Sequence, residues 1–212
     1  MTEEELVLNL RKWMSLFGIT ILIGGAAGLI TGAVMLLCDS SFRLVKTEDW
    51  LFNFVMMALA GLSLGAFSHM GFFAYMMLNY IARSIFKRPY LWVALQGFFA
   101  VFALAEIAYW TYGSRFPQAT FWVLPLMLAA ASVAVGWWKV KETAAGAWLP
   151  TLFFMIAVTA IEAVPGFRSG KWTSLLFTLV PLFICNAYQI MKLHRLLEKP
   201  KDKSAPVAAG AH

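Results

Sequence analysis

The chain has 212 residues, of which 61% are hydrophobic and only 13% charged, with a net charge of +6 at pH 7. Between Trp13 and Met191 no stretch has the composition of a soluble domain, so there is no room for a nucleotide-binding domain or a histidine-kinase catalytic domain. The basic residues are scattered between apolar runs and form no patch, which argues against nucleic-acid binding and for an inner-leaflet role beside anionic lipids.

A bilayer core about 30 Å thick is crossed by about 20 apolar residues in a helix. Six runs meet that length: residues 13–38, 50–78, 90–112, 119–138, 144–165 and 173–191. They predict an all-α, polytopic transmembrane bundle occupying residues 13–191, preceded by a short N-terminal segment, 1–12. The second run exceeds one crossing, which predicts tilt, a kink near Gly71, or an inner end that leaves the membrane. Pro125, Pro150 and Pro181 fall in or near spans, where neighbours must satisfy the freed backbone groups. Residues 192–212 change character: KLHRLLEKPKDK is basic and SAPVAAGAH is low in complexity, so a short helical continuation followed by disorder is expected. The simplest role for that tail is topology and solubility.

Lys and Arg set the orientation. With the N-terminus inside, the inner segments carry 12 basic residues and the outer ones 5, so both termini are expected in the cytoplasm. Tryptophans near the span ends, among them Trp13, Trp50, Trp110 and Trp172, fit an interfacial aromatic belt. The acidic start Glu3-Glu4-Glu5 and the length of the first run do not fit a cleaved signal peptide. Cys38 sits where a lipoprotein cysteine would, but Leu37 is too large for the cleavage box. Cys38 falls at the outer end of the first span and Cys185 in the inner half of the sixth, so no internal disulfide is expected.

Gly24, Gly28 and Gly32 recur every four residues in the first span, and Gly61 and Gly65 in the second. Small residues on one helix face let backbones approach closely in lipid. They predict a tight hairpin of spans one and two, with a homodimer seam as the alternative.

Glu106 and Glu162 are the two acids well inside spans, and an intramembrane ionisable group is a functional candidate by default. Counted from the outer span ends, Glu106 lies roughly 9 Å and Glu162 roughly 5 Å deep. They are therefore expected to share the outer half of the membrane, with an outward cavity as one arrangement and, as the other, an acid that snorkels to water or is neutralised by a hydrogen bond. Thr159 shares nearly the same face as Glu162. His69 continues the Gly61–Gly65 series, and Gln96 and Asn186 fall at similar depth, which predicts an inner polar layer that ties helices together. A short proton relay from His69 to the acids is not expected, because they are placed at different depths.

The chain holds no HExxH, paired-cysteine, GxSxG or Walker motif, so neither an enzyme nor a metal or organic cofactor is expected.

Three segments carry a family resemblance: LFGITILIGG at residues 16–25, SHMGFFAYMMLN at 68–79, and IFKRPYLWVALQ at 85–96. Together with the length and the six spans, they resemble the KinB-signalling pathway activation protein, or KbaA, family of endospore-forming bacteria. The likeness covers roughly residues 13–192, and its most specific part is Met70, Gly71, Phe72, Phe73, Ala74 and Tyr75. The resemblance implies a non-enzymatic regulator in the cytoplasmic membrane, acting on a sensor histidine kinase that feeds the sporulation phosphorelay. It transfers no active-site residues. Two classes of function follow. A direct regulator would contact the kinase by its helices and tolerate Glu106→Gln. A small-solute or proton-coupled transporter would lose flux on Glu106→Gln or Glu162→Gln. Lipids are implied partners in either case; the oligomeric state is open.

Overall fold

The computed structural model describes residues 3–38, 47–112 and 120–197. All regular structure among them is helical, and six helices are long and apolar enough to cross a bilayer, so this is a multi-pass membrane protein. Such a chain has little choice: in lipid every backbone N–H and C=O must be paired within its own segment, which a helix alone provides for single spans.

The long helices are α1 (Glu3–Cys38), α2 (Thr47–Ile85), α3 (Pro89–Thr111) and α4 (Thr120–Glu142). The fifth span is composite. A 3-10 turn at Ala145–Ala147 leads into α5 (Trp148–Phe153), a π-helical turn at Phe154–Val158, and α6 (Thr159–Glu162). After Ala163 the chain stays helical in α7 (Val164–Arg168), with Pro165 in its first turn, where no N–H is needed. Gly170 then takes φ 64°, a left-handed conformation that closes the helix end before α8 (Trp172–Leu197).

The second run therefore passes Gly71 without a break and extends to Ile85. The fourth and sixth spans extend past their predicted ends, to Glu142 and Leu197, and the latter takes in the start of the basic tail. Residues 198–212, with the rest of the tail, lie outside the described residues, as does the side chain of Cys38. Cys185 is a buried free thiol whose Sγ donates to Thr20 O at 3.6 Å, joining α8 to α1.

The fifth span is the hub and touches α2, α3, α4 and α8, while α1 packs on α2 and α8. The core follows that plan: Phe154, Met155, Leu175 and Leu182 are fully buried between these helices. The α1–α2 contact is set by glycine. A Cβ on Gly24 would stand 2.5 Å from Gly61 O, and one on Gly28 would stand 2.7 Å from Gly61 Cα. A Cβ on Gly65 would meet Thr20 O at 2.8 Å, and one on Gly32 would collide with the Met57 side chain. Backbone thus lies on backbone, the arrangement that dispersion favours when no hydrophobic effect drives helices together. In contrast, α2 and α3 splay apart although only residues 86–88 join them.

Candidate functional site

The middle of α2 turns Ser68 and His69 toward α8, one turn beyond the glycine seam. Residues Asn186 and Gln189 on α8 are three apart and so share a face. From the fifth span, Thr159 and Glu162 have the same spacing and point at that face. All six side chains are buried. The π turn just before Thr159 adds a residue to the helix and shifts the angular register of everything after it, a local irregularity that recurs at functional sites.

These six side chains form one string. Asn186 Nδ2 donates to Glu162 Oε2 at 2.7 Å and to Thr159 Oγ1 at 2.9 Å. Ser68 Oγ donates to Asn186 Oδ1 at 2.7 Å, and Gln189 Nε2 donates to Ser68 Oγ at 2.7 Å. His69 Nδ1 lies 3.0 Å from Gln189 Oε1. Because an amide oxygen only accepts, this last contact requires the proton of His69 on Nδ1. Every donor then points the same way, from His69 toward the carboxyl of Glu162. The second carboxyl oxygen, Oε1, has no hydrogen-bond partner although Glu162 is only 4% exposed.

That oxygen sits over Gly71, where any Cβ would collide with it. Gly71 belongs to the segment MGFFAY, whose other members divide between two faces. Phe72 and Tyr75 are buried against Phe154 of the π turn, at ring distances of 5.7 and 4.9 Å. Met70, Phe73 and Ala74 face outward, and Phe73 meets His69 edge-on at 4.7 Å and Trp13 at a tilt at 5.5 Å. The motif therefore lines the string on one side and the lipid on the other.

Several expected groupings are rearranged. His69 and Glu162, placed at different depths from the sequence, are ends of one hydrogen-bonded string. The chain stays helical past Pro165 to Arg168, with Ala163 marking the join between α6 and α7 just after Glu162. Gln96 does not join His69 and Asn186; it bonds Asn79 Oδ1 at 3.3 Å, in a separate cluster at the end of α2. Glu106 does not meet Glu162. It is partly buried in an apolar groove between α2 and α3, whereas Glu162 faces α2 and α8. Ser68, Gln189 and Asn79 were not singled out in advance. Their signal was position: Ser68 precedes His69, Gln189 falls one helical turn after Asn186, and Asn79 ends the SHMGFFAYMMLN segment.

The string can hold three helices in register. It is poorly suited to carry protons, because Asn186 and Gln189 interrupt it and an amide passes a proton only through a high-energy imidic acid form. Among the described residues no group of three or more His, Cys, Asp or Glu side chains is arranged to hold a metal ion.

Comparison with known proteins supplies the biological frame. The family described as "KinB-signalling pathway activation in sporulation" matches residues 24–196, which include the whole string and the glycine seam. The chain is 29% identical over 143 residues to the KinB-signaling pathway activation protein of Bacillus subtilis (strain 168); the match covers 66% of this chain and 72% of that relative. No solved structure matches.

Proposed function

The chain belongs to the KinB-signalling pathway activation family, and from that premise we propose that it is a non-enzymatic regulator of the cytoplasmic membrane, with both termini inside, that activates a KinB-type sensor histidine kinase by direct helix contact. The observation that carries this reading is the groove between α2 and α3. It encloses about 690 Å³ and is lined by Ile81, Phe99, Phe102, Ile161 and other apolar side chains, with Glu106 as its single carboxyl among the described residues. Several of these side chains are exposed, Ile161 to 69% and Phe102 to 50%, on a surface that faces lipid. A kinase transmembrane helix seated there would gain close packing, the main source of helix association in a bilayer. Activation then requires that the groove fit one signalling state of the kinase better than the other.

The rigid side of the bundle supports the same role. The glycine seam and the polar string lock α1, α2, α8 and the fifth span together, so the splay of α2 from α3 is held open by a fixed frame. The transporter reading would use Glu162 as a coupling site, and the amide-interrupted string counts against it.

The test is affinity purification from native membranes of a sporulating culture after mild crosslinking, with mass spectrometry of the partners. Enrichment of a sensor histidine kinase over a six-span control supports direct contact. An intact, well-crosslinked bait that brings no kinase overturns it and turns attention to flux assays.

A further inference from the structure

A second cavity, of about 610 Å³, opens where α2 turns into α3 and α4 turns into the fifth span. Tyr75, Asn79, Arg83, Trp92, Gln96 and Lys139 are among the residues lining it, and no carboxylate is among the described ones. One wall is an aromatic–amide cluster. Trp92 Nε1 donates to Asn79 Oδ1 at 2.6 Å, and Gln96 Nε2 donates to the same oxygen at 3.3 Å. An indole N–H can only donate, so Asn79 must turn its oxygen to Trp92, and Gln96 must then offer its NH2 group. Gln96 Oε1 is left without a donor in a residue that is 0% exposed. Buried carbonyl oxygens are nearly always paired, and an orphan beside a cavity marks a place where a ligand N–H or O–H fits.

The rest of the wall is positive. Lys139 is 5% exposed; its Nζ donates to Ile190 O at 2.7 Å and to Met191 O at 3.4 Å and lies 3.0 Å from His194 Nδ1, so it contributes its charge to the wall while its N–H groups have partners within the chain. Neither it nor Arg83, which is exposed at the rim, has an ion-pair partner among the described residues. The N-terminal turn of α3 also lines the cavity, through Pro89, Trp92 and Val93, and it has no side-chain cap. Pro89 has no N–H and the Leu91 N–H is bonded to Arg88 O at 3.1 Å, so what this end of α3 offers an anion is the positive end of the helix dipole.

We infer that this cavity binds a phosphate ester, with the phosphate near Arg83, Lys139 and the start of α3, and with a neighbouring hydroxyl or amine donating to Gln96 Oε1. That chemistry is shared by the headgroup of a glycerol-based anionic lipid and by a free phosphorylated polyol. The site lies at a turn-bearing end of the bundle, within reach of either source, and it does not depend on a kinase partner.

The experiment uses the full-length protein, in detergent with added sn-glycerol 3-phosphate and in nanodiscs of phosphatidylglycerol. Phosphatidylcholine nanodiscs give the background, since a trimethylammonium group has no N–H for Gln96. The readout is the midpoint of thermal unfolding against ligand concentration or lipid fraction. A saturable rise with phosphatidylglycerol alone identifies a lipid headgroup site, and a rise with both probes identifies one open to soluble phosphate esters. Arg83→Gln and Gln96→Leu should each weaken the response at least about tenfold. Arg83 is on the exposed rim, so its substitution tests the site even if the Gln96 variant does not fold. No response to either probe, or folded variants that respond like wild type, overturns the inference.

Discussion

Gly71 of α2 leaves the space that the Glu162 carboxyl fills: a Cβ at Gly71 would stand 2.9 Å from Glu162 Cδ and would collide with Oε1. One residue in the family-like motif thus decides where the acid of another span can rest. Gly71→Ala must push Glu162 away from Asn186 or separate α2 from the fifth span. Overpacking of this kind costs about 1–3 kcal/mol. In detergent, the unfolding midpoint of Gly71→Ala should fall clearly below wild type. In a Glu162→Ala background the same change should cost much less, because the clashing atoms are gone. Additive effects of the two substitutions would show that the contact does not matter.

The string also makes an uneven prediction along its length. Asn186 serves Glu162, Thr159 and Ser68 at once, whereas Gln189 serves Ser68 and His69. Asn186→Leu strands two buried groups, Glu162 and Thr159, and Gln189→Leu strands one, His69, because Ser68 keeps its bond to the remaining amide in either variant. Each unsatisfied buried group costs about 1–3 kcal/mol, so Asn186→Leu should be the more destabilising. Thermal unfolding of the two variants side by side checks the order; an equal or reversed effect would mean that the bonds to Glu162 and Thr159 contribute little.

The difference between what was legible and what was not has a physical basis. Span length is imposed by the bilayer, so all six helices could be read from apolar runs alone. The glycines could be read because a period of four keeps one helix face, whatever helix packs on it. The string could not, since it depends on which helices are neighbours and on their rotation. Asn186 and His69 were visible as buried polar candidates, but their mutual placement needed the crossing of α2 and α8. Pro165 reads in the sequence as a span end, whereas it sits in the first turn of α7. The π turn at Phe154–Val158 has no signal in hydrophobic period, yet it sets the direction of Thr159 and Glu162.

At the α1–α2 seam, Gly61 faces Gly24 O at a Cβ distance of 2.5 Å, with Gly25 Cα and Gly28 Cα both at 3.0 Å. No rotamer of a larger side chain relieves a clash between backbone and Cβ. Gly61→Val should therefore separate the two helices and cost about 1–3 kcal/mol. Gly18, with open space around its Cβ position, is the internal control, and Gly18→Ala should be near neutral. A cysteine pair placed across the seam should crosslink in the parent protein and lose efficiency in Gly61→Val. Unchanged crosslinking would show that the seam yields without cost.

The groove separates the two functional readings. Ile161 is 69% exposed and lines the groove, so Ile161→Trp fills space without disturbing the core. If a kinase helix docks there, Ile161→Trp should lower kinase recovery by about tenfold, the scale of a central interface residue, with the unfolding midpoint unchanged. Glu106→Gln keeps the shape of the groove and should alter recovery less than about twofold, since packing dominates helix contacts in lipid. A transporter predicts the reverse pattern. Glu106→Gln or Glu162→Gln would then abolish a pH-dependent flux in vesicles, and Ile161→Trp would leave signalling intact. Measuring kinase recovery and vesicle flux on the same three variants therefore assigns the activity to the lipid-facing groove or to the intramembrane acids.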